Sequence, residues 1–321
     1  MKSLAALACA AFVTLTLPAV AQEYPTKPIR VFVPFAPGGV VDVTARLLTQ
    51  KMSERLGWSF VVENRPGGNG FIAVSAAAKA PADGYTLLMA HTGEFAGNPA
   101  LFPEVPYELE RDFKPITMVS DTPMLLVASK DAPFNTFAEV VEAAKAKPGT
   151  VAFSSPGNGS INHLAGEWVA MQAKVKLLHV PYKGGAPAAA AVAAGEVPLG
   201  VVAVPAVQTH LRTGRMKVIG LTTAERTPYD KSWVTAAESG IPGVNSSNWV
   251  GLFAPKGVSD AIIQKLYAEV KATLDNPEVK ERFAQAGAVT GGMPPADFLA
   301  RIKVDAERYK EVVKAGDVKP E

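Results

Sequence analysis

The residues best placed for chemistry stand where short apolar runs give way to helical spacing. The first such stretch is Pro34-Phe35-Ala36-Pro37-Gly38-Gly39-Val40-Val41-Asp42. Two glycines let the backbone approach a ligand closely, and the free N–H groups of a helix start, at the positive end of its dipole, suit a carboxylate. A tight strand-to-helix turn that binds nothing uses the same residues. Asp42 fits a partner for helix-start N–H groups better than a contact for an anion, because two negative charges repel. An ammonium group on an amino-acid ligand is its alternative partner.

The second stretch, Ser154-Ser155-Pro156-Gly157-Asn158-Gly159-Ser160-Ile161-Asn162-His163, repeats the same topology. The hydroxyls of Ser155 and Ser160, with the backbone near Gly159 and Asn162, make an uncharged anion-binding nest or an ordinary helix cap. His163, one turn into an apolar helix, reads as a packed histidine. A third stretch, Val180-Pro181-Tyr182-Lys183-Gly184-Gly185-Ala186-Pro187-Ala188, offers Lys183 as a cation and Tyr182 as a hydroxyl and ring wall. An exposed lysine beside a turn is the competing reading. Pro205 opens a further helix, and His91-Thr92-Gly93, followed by Asn98-Pro99, forms a fourth loop whose hydroxyl and backbone complete one half of a pocket.

Catalytic signatures fit less well. The sequence holds no Gly-x-Ser-x-Gly elbow, and Gly157-Asn158-Gly159 lacks the third glycine of a dinucleotide fingerprint and the lysine of a P-loop. His91, His163, His179 and His210 are dispersed without metal-ligand spacing. Asp42, His163 and Ser160 could converge as a hydrolase triad, but their spacing does not require it. The expectation is a protein that is not an enzyme and needs no cofactor or metal. With 32 Lys and Arg against 30 Asp and Glu the net charge is +2, and the two signs alternate through Lys265 to Lys314 as on solvated helix faces. That balance argues against a nucleic-acid partner.

The elements that must hold these loops read as α/β. Lys2, the apolar stretch from Leu4 to Leu17 and Ala19-Val20-Ala21 form a secretory leader over residues 1–21, which places the mature chain in the periplasm. Cleavage removes Cys9, the single cysteine, so stability rests on hydrophobic cores. About 300 mature residues call for two domains. Strands are expected at Ile29 to Phe35, Phe60 to Val62 and Thr86 to Met89, with helices over Val43 to Leu56 and Phe71 to Lys79. A second block begins at Met124 and repeats strand and helix through Val218 to Leu221, including a capping box at Thr136 to Glu139. The Ser/Asn cluster from Asn245 to Asn248 reads as a crossing between domains before the strand Val250 to Ala254. Helices follow at Ser259 to Leu274, after Asn276, and from Pro295 to Lys314.

Several motifs in order resemble one family: Pro37-Gly38-Gly39 with Asp42, Glu63-Asn64-Arg65-Pro66-Gly67, Pro81-Ala82-Asp83-Gly84-Tyr85-Thr86-Leu87-Leu88, Pro181-Tyr182-Lys183-Gly184, and Trp249-Val250-Gly251-Leu252-Phe253-Ala254-Pro255. From Ile29 onward the chain is similar to the Bordetella uptake gene (Bug) receptors, the extracytoplasmic components of tripartite tricarboxylate transporters. The resemblance implies a type II periplasmic-binding-protein fold, two α/β domains with a ligand cleft between them. Residues 22–123 and 249–321 would form the first domain and 124–248 the second, with the final helices packing back on the first. It implies a monomer that captures a small organic acid, whether a di- or tricarboxylate, an amino acid or an aromatic acid, and delivers it to membrane permease subunits. The site expected on both grounds comprises Phe35, Pro37, Gly38, Gly39, Asp42, Thr92, Gly93, Ser155, Gly159, Ser160, Asn162, Tyr182, Lys183, Gly184, Ala186 and Pro205. A sensor that signals instead of transporting is an alternative, and a secreted hydrolase a remoter one. The chain departs from the family pattern at Pro198, at Val234 and Thr235, and in the polarity that His91 and Glu94 give the fourth loop.

Overall fold

Apolar alternation at Ile29, Val31 and Val33 produces strand β1 (Ile29–Val33), whose one face is sealed under helix α1 (Val40–Leu56). These belong to a computed structural model that describes residues 24–320, so the expected leader at residues 1–21 lies outside the described residues. Helix α1 buries Val41, Ala45, Leu48 and Met52, spaced three or four apart as one helical face must be. The chain continues through β2 (Phe60–Asn64), α2 (Phe71–Ala78), β3 (Thr86–His91), a π-helical turn at Gly93–Gly97, and the short helices α3 (Asn98–Leu101) and α4 (Leu109–Asp112). β1 pairs in parallel with β2 and β3, the arrangement that crossover helices create.

Next comes β4 (Phe113–Ser129), 17 residues long, which belongs to both halves of the molecule. The sequence reading began a new strand at Met124; the structure instead carries one strand straight through Pro115 and Pro123. Beyond it lie α5 (Phe137–Ala146), β5 (Ala152–Ser155), α6 (Ile161–Ala173), β6 (Leu178–Pro181), α7 (Gly185–Ala193), β7 (Leu199–Ala203), α8 (Val204–Arg212) and β8 (Met216–Leu221). The capping box forms as expected, with Thr136 accepting from Glu139 N–H and Glu139 returning the bond. The chain crosses back as β9 (Ser247–Pro255) and ends with α9 (Asp260–Leu274), α10 (Pro277–Gln285), the two-residue β10 (Val289–Thr290) and α11 (Pro295–Gly316).

The strand order is β2-β1-β3-β9-β4-β7-β5-β6, with β8 and β10 also paired to β4. Residues 113–123 of β4 pair with β9, and residues 124–129 pair with β7 and β8, so two α/β lobes share one strand. At the crossing β4 and β9 pair with each other, Thr122 opposite Asn248 and Pro123 opposite Ser247.

The last helix does more than return to the first lobe. Phe298 packs against Trp249 and Phe253 there, while Tyr309 meets Trp168 of α6 edge-on in the second lobe, at a centroid distance of 5.6 Å. One apolar cluster therefore runs through both lobes along α11. Phe298→Ala removes a fully buried ring at this junction and is expected to cost about 3–5 kcal/mol in urea unfolding. A loss below about 1 kcal/mol would show that α11 is peripheral to the fold.

Candidate functional site

A cavity of about 550 Å³ lies between the lobes. The first lobe contributes Phe35, Val40, Asn69, His91, Gly93, Glu94, Gly97, Asn98, Leu101 and Phe102; the second contributes Pro156 to Asn162, Gly185, Ala203, Pro205 and Ala206. Asn248 lines it at the crossing and Pro320 at the chain's end. The loop after β1 and the loop after β5 thus face one cavity from opposite sides. The lobes press together at its rim: a methyl on Gly97 would sit 3.0 Å from Ile161 Cδ1, and one on Gly159 3.0 Å from Leu101 Cδ1.

Of the expected site residues, Phe35, Gly93, Gly159, Ser160, Asn162 and Pro205 line this cavity. Gly38 lines an adjoining recess of about 250 Å³ that shares Val40 and Pro205 with it. Pro37, Gly39, Asp42, Thr92, Ser155, Tyr182, Lys183, Gly184 and Ala186 line neither. For several of them the reason is visible. Asp42 is buried and holds the first loop together, accepting from Gly38 N–H at 2.9 Å, Arg46 Nε at 2.9 Å and Asn64 Nδ2 at 2.8 Å. Burial pushes its carboxyl up, yet those donors together leave it below the ordinary value. The bonds let Gly38 adopt φ +87°, a conformation that disfavours any side chain. Thr92 is wholly buried and bridges to Ser247 and Trp249 on β9. Tyr182 packs on the core of the second lobe, and Lys183 is exposed.

The hydroxyls of the second loop are committed internally. Ser155 and Ser160 both donate to the Gly157 carbonyl, at 2.9 and 2.7 Å, and Ser160 caps α6 by accepting from His163 N–H. The expected nest of hydroxyls is therefore a nest of backbone. Helices α1, α7 and α8 begin without any side-chain cap, and Val40, Gly185, Pro205 and Ala206 of their first turns line the cavity. First-turn N–H groups have no intrahelical acceptor, so these starts present unspent donors, apart from Pro205, which has no N–H, and the positive ends of three dipoles.

Two residues gain importance from the structure. Asn162 Nδ2 and Asn248 Oδ1 are buried without any hydrogen-bond partner, and both residues line the cavity. A buried amide left unpaired costs free energy, which a polar guest recovers. Asn248 was read as part of a crossing, and only tertiary placement could reveal its second role. Asn69 carried no local signal, whereas Asn98 and Glu94 were marked with the fourth loop but not placed among the site residues.

Beneath the second loop, His163 and His179 stack with ring centroids 3.5 Å apart and planes 9° apart. His163 Nδ1 accepts Gly159 N–H at 3.1 Å, and His179 Nε2 lies 2.7 Å from Ser155 Oγ, so the stack supports the loop from behind. Ser160 does not bond the His163 ring and Asp42 belongs to the other lobe, so no hydrolase triad forms. Burial, and secondarily His163, lower the His179 pKa from 6.5 to about 3. The unfolded chain takes up this proton near the ordinary value whereas the folded chain refuses it, so the contribution to stability is full above pH 6.5 and is lost as pH falls toward 3. His179→Gln is expected to flatten the acid side of the melting-temperature profile relative to the unaltered protein. Parallel profiles would refute it.

A family model described as tripartite tricarboxylate transporter family receptor matches residues 44–317. The protein BugT of Bordetella pertussis is 34% identical over 94% of this chain and 92% of its own length. A solved R. palustris protein with adipate is 33% identical, with a TM-score of 0.80 over 93% of this chain and 100% of that one. MatC of Rhodopseudomonas palustris with bound malate is 31% identical, with a TM-score of 0.75 over 90% of this chain and 100% of that one. These relatives are ligand-binding receptors rather than enzymes, and their shared architecture is the two-lobed α/β fold described above. The chain belongs to the tripartite tricarboxylate transporter family of receptors, with the Bug proteins among its relatives.

Proposed function

We propose that this protein is a periplasmic solute receptor that captures a small carboxylate in the cavity between its lobes and presents it to the membrane subunits of a tripartite tricarboxylate-type transporter. The observation that carries the reading is the convergence of three uncapped helix starts, from both lobes, on one cavity that has no lysine or arginine among the described residues lining it. An anion there meets dipoles and N–H groups instead of a lysine or arginine. One helix start supplies about 0.3 to 2 kcal/mol, whereas micromolar capture needs about 8 kcal/mol. Several starts, the Asn162 amide N–H, a bridging water or guest hydroxyl that donates to Asn248 Oδ1, and apolar burial against Phe35 must therefore act together. The bound acids of the R. palustris relatives, adipate and malate, support a carboxylate as the guest. Secretion through the leader at residues 1–21 supplies the address.

In this reading residues 22–123 with 249–321 and residues 124–248 move as two units about the β4–β9 crossing, and a carboxylate that touches both favours the closed arrangement. Phe35, Gly38, Gly93, Gly159, Ser160, Asn162 and Pro205 are the ligand-facing members of the set read from sequence. Asp42 and Thr92 position the loops.

A thermal-shift panel of adipate, malate, citrate, glutamate and benzoate is expected to raise the melting temperature with at least one acid and no turnover. With that acid, Asn162→Ala should weaken binding about tenfold or more by calorimetry while leaving the ligand-free melting temperature nearly unchanged. Ser160→Ala, which removes the α6 cap, should also cost about 1 kcal/mol of stability. Unaltered affinity in both variants would remove the second loop from the site.

A further inference from the structure

Among the described residues that line the cavity, only His91 and Glu94 titrate. Glu94 is 1% exposed, and its Oε2 accepts His91 N–H at 2.7 Å and lies 2.6 Å from His91 Nδ1. So short an approach of a carboxylate to a ring nitrogen requires a proton between them. Gly93 N–H also comes within 3.1 Å of Nδ1, but one ring nitrogen cannot accept that hydrogen while carrying the shared proton. The shorter, charge-assisted contact takes precedence. Glu94 is the one carboxylate beside the ring, and no other charged group among the described lining residues faces it.

The ring has little freedom to turn away. A Cβ at Gly93 would overlap the imidazole, so the backbone there lies flat against it, and Phe35 closes the other side at a centroid distance of 4.8 Å. With Nδ1 committed to Glu94, the remaining polar edge is Nε2, which makes no hydrogen bond to any described residue; the side chain keeps 18% exposure at the cavity wall. No other titratable group faces it there. Phe35 and Val40 come from the first loop and α1, Asn69 and Asn98 from the first lobe's turns, Asn162 from α6 and Asn248 from β9. Asp42, the next charged group on α1, is turned toward Gly38, Arg46 and Asn64.

We infer that His91, oriented by Glu94, is the charge-bearing donor of this cavity and selects guests that place an anionic oxygen against Nε2, so that capture is coupled to proton uptake. The inference rests on the carboxylate reading above and deepens it. In the protonated pair Nε2–H donates to the guest. Once the proton leaves, Nδ1–H still serves Glu94, Nε2 becomes a lone pair, and a carboxylate is repelled. The pair thus sets both the preferred charge of the guest and the pH at which it is held.

Calorimetry with the best acid of the panel, from about pH 5.5 to about pH 8.5, tests this on the unaltered protein. Affinity should fall about tenfold or more as pH rises, and the binding heat should vary with the ionisation enthalpy of the buffer, which reports proton uptake. His91→Asn should bind at the weak, high-pH level throughout, with a flat profile. Glu94→Gln should move the fall to lower pH, because the counter-charge that holds the proton is gone. A flat profile with buffer-independent heats in the unaltered protein overturns the inference while leaving the carboxylate reading intact, as does His91→Asn retaining the full slope. Failure of every acid to bind at any pH overturns both.

Discussion

One guanidinium set between two carboxylates governs where the lobes stand. Arg301 on α11 lies 3.1 Å from Asp305 and 3.6 Å from Asp121, and donates to Ser247 Oγ at 3.1 Å. Asp305 also accepts the Trp249 indole N–H at 2.8 Å, and Tyr309 pairs with Ser246 at 2.7 Å. Asp121 belongs to the outgoing strand, Ser247 and Trp249 to the returning one and Ser246 to the segment just before it, so a single helix fastens both crossings. Desolvation raises both carboxyls, and Arg301 is the largest influence opposing it. Such a group tolerates no partial removal, since a lone buried charge costs far more than the paired set. The placement of Asn248, and so the floor of the cavity, follows from this knot.

The chemistry above that floor depends on restraint. A fixed arginine would hold an anion strongly but would pull any anion, whereas dipoles and amides act only when guest oxygens reach them. Asp42 illustrates how the protein spends charge: its carboxylate sits next to a proposed anion site, yet its hydrogen bonds are directed into the loop and brace Gly38. The His163–His179 stack braces the second loop from behind in the same way.

Much of this was legible because it is local. Gly-rich junctions after Phe35 and Ser154, the Thr136–Glu139 box and the Asn276 cap each declare themselves within a few residues, and all appear in the structure. What was missed is non-local. A new strand was expected at Met124, yet β4 runs unbroken from Phe113 through Pro115 and Pro123, because tertiary pairing with β9 along its first part and with β7 and β8 along its second overrides a local break. Hydroxyls at Ser155 and Ser160 looked available, but a sequence cannot show that the Gly157 carbonyl claims both. The amides of Asn162 and Asn248 stand out only when the groups around them are seen to leave them unpaired.

The unbroken β4 has a further meaning. Two ordinary linkers would let the halves wander before a guest arrives, and docking would have to freeze that wandering. Here the outgoing and returning strands are bonded to each other at Thr122–Asn248 and Pro123–Ser247, so they behave as one ribbon that can twist or bend but has no slack. In the proposed closure, little chain entropy in the two crossings would remain to be surrendered, leaving more of the contact energy for grip. In that closure a stiff ribbon would also narrow the swing and so favour guests whose length matches it.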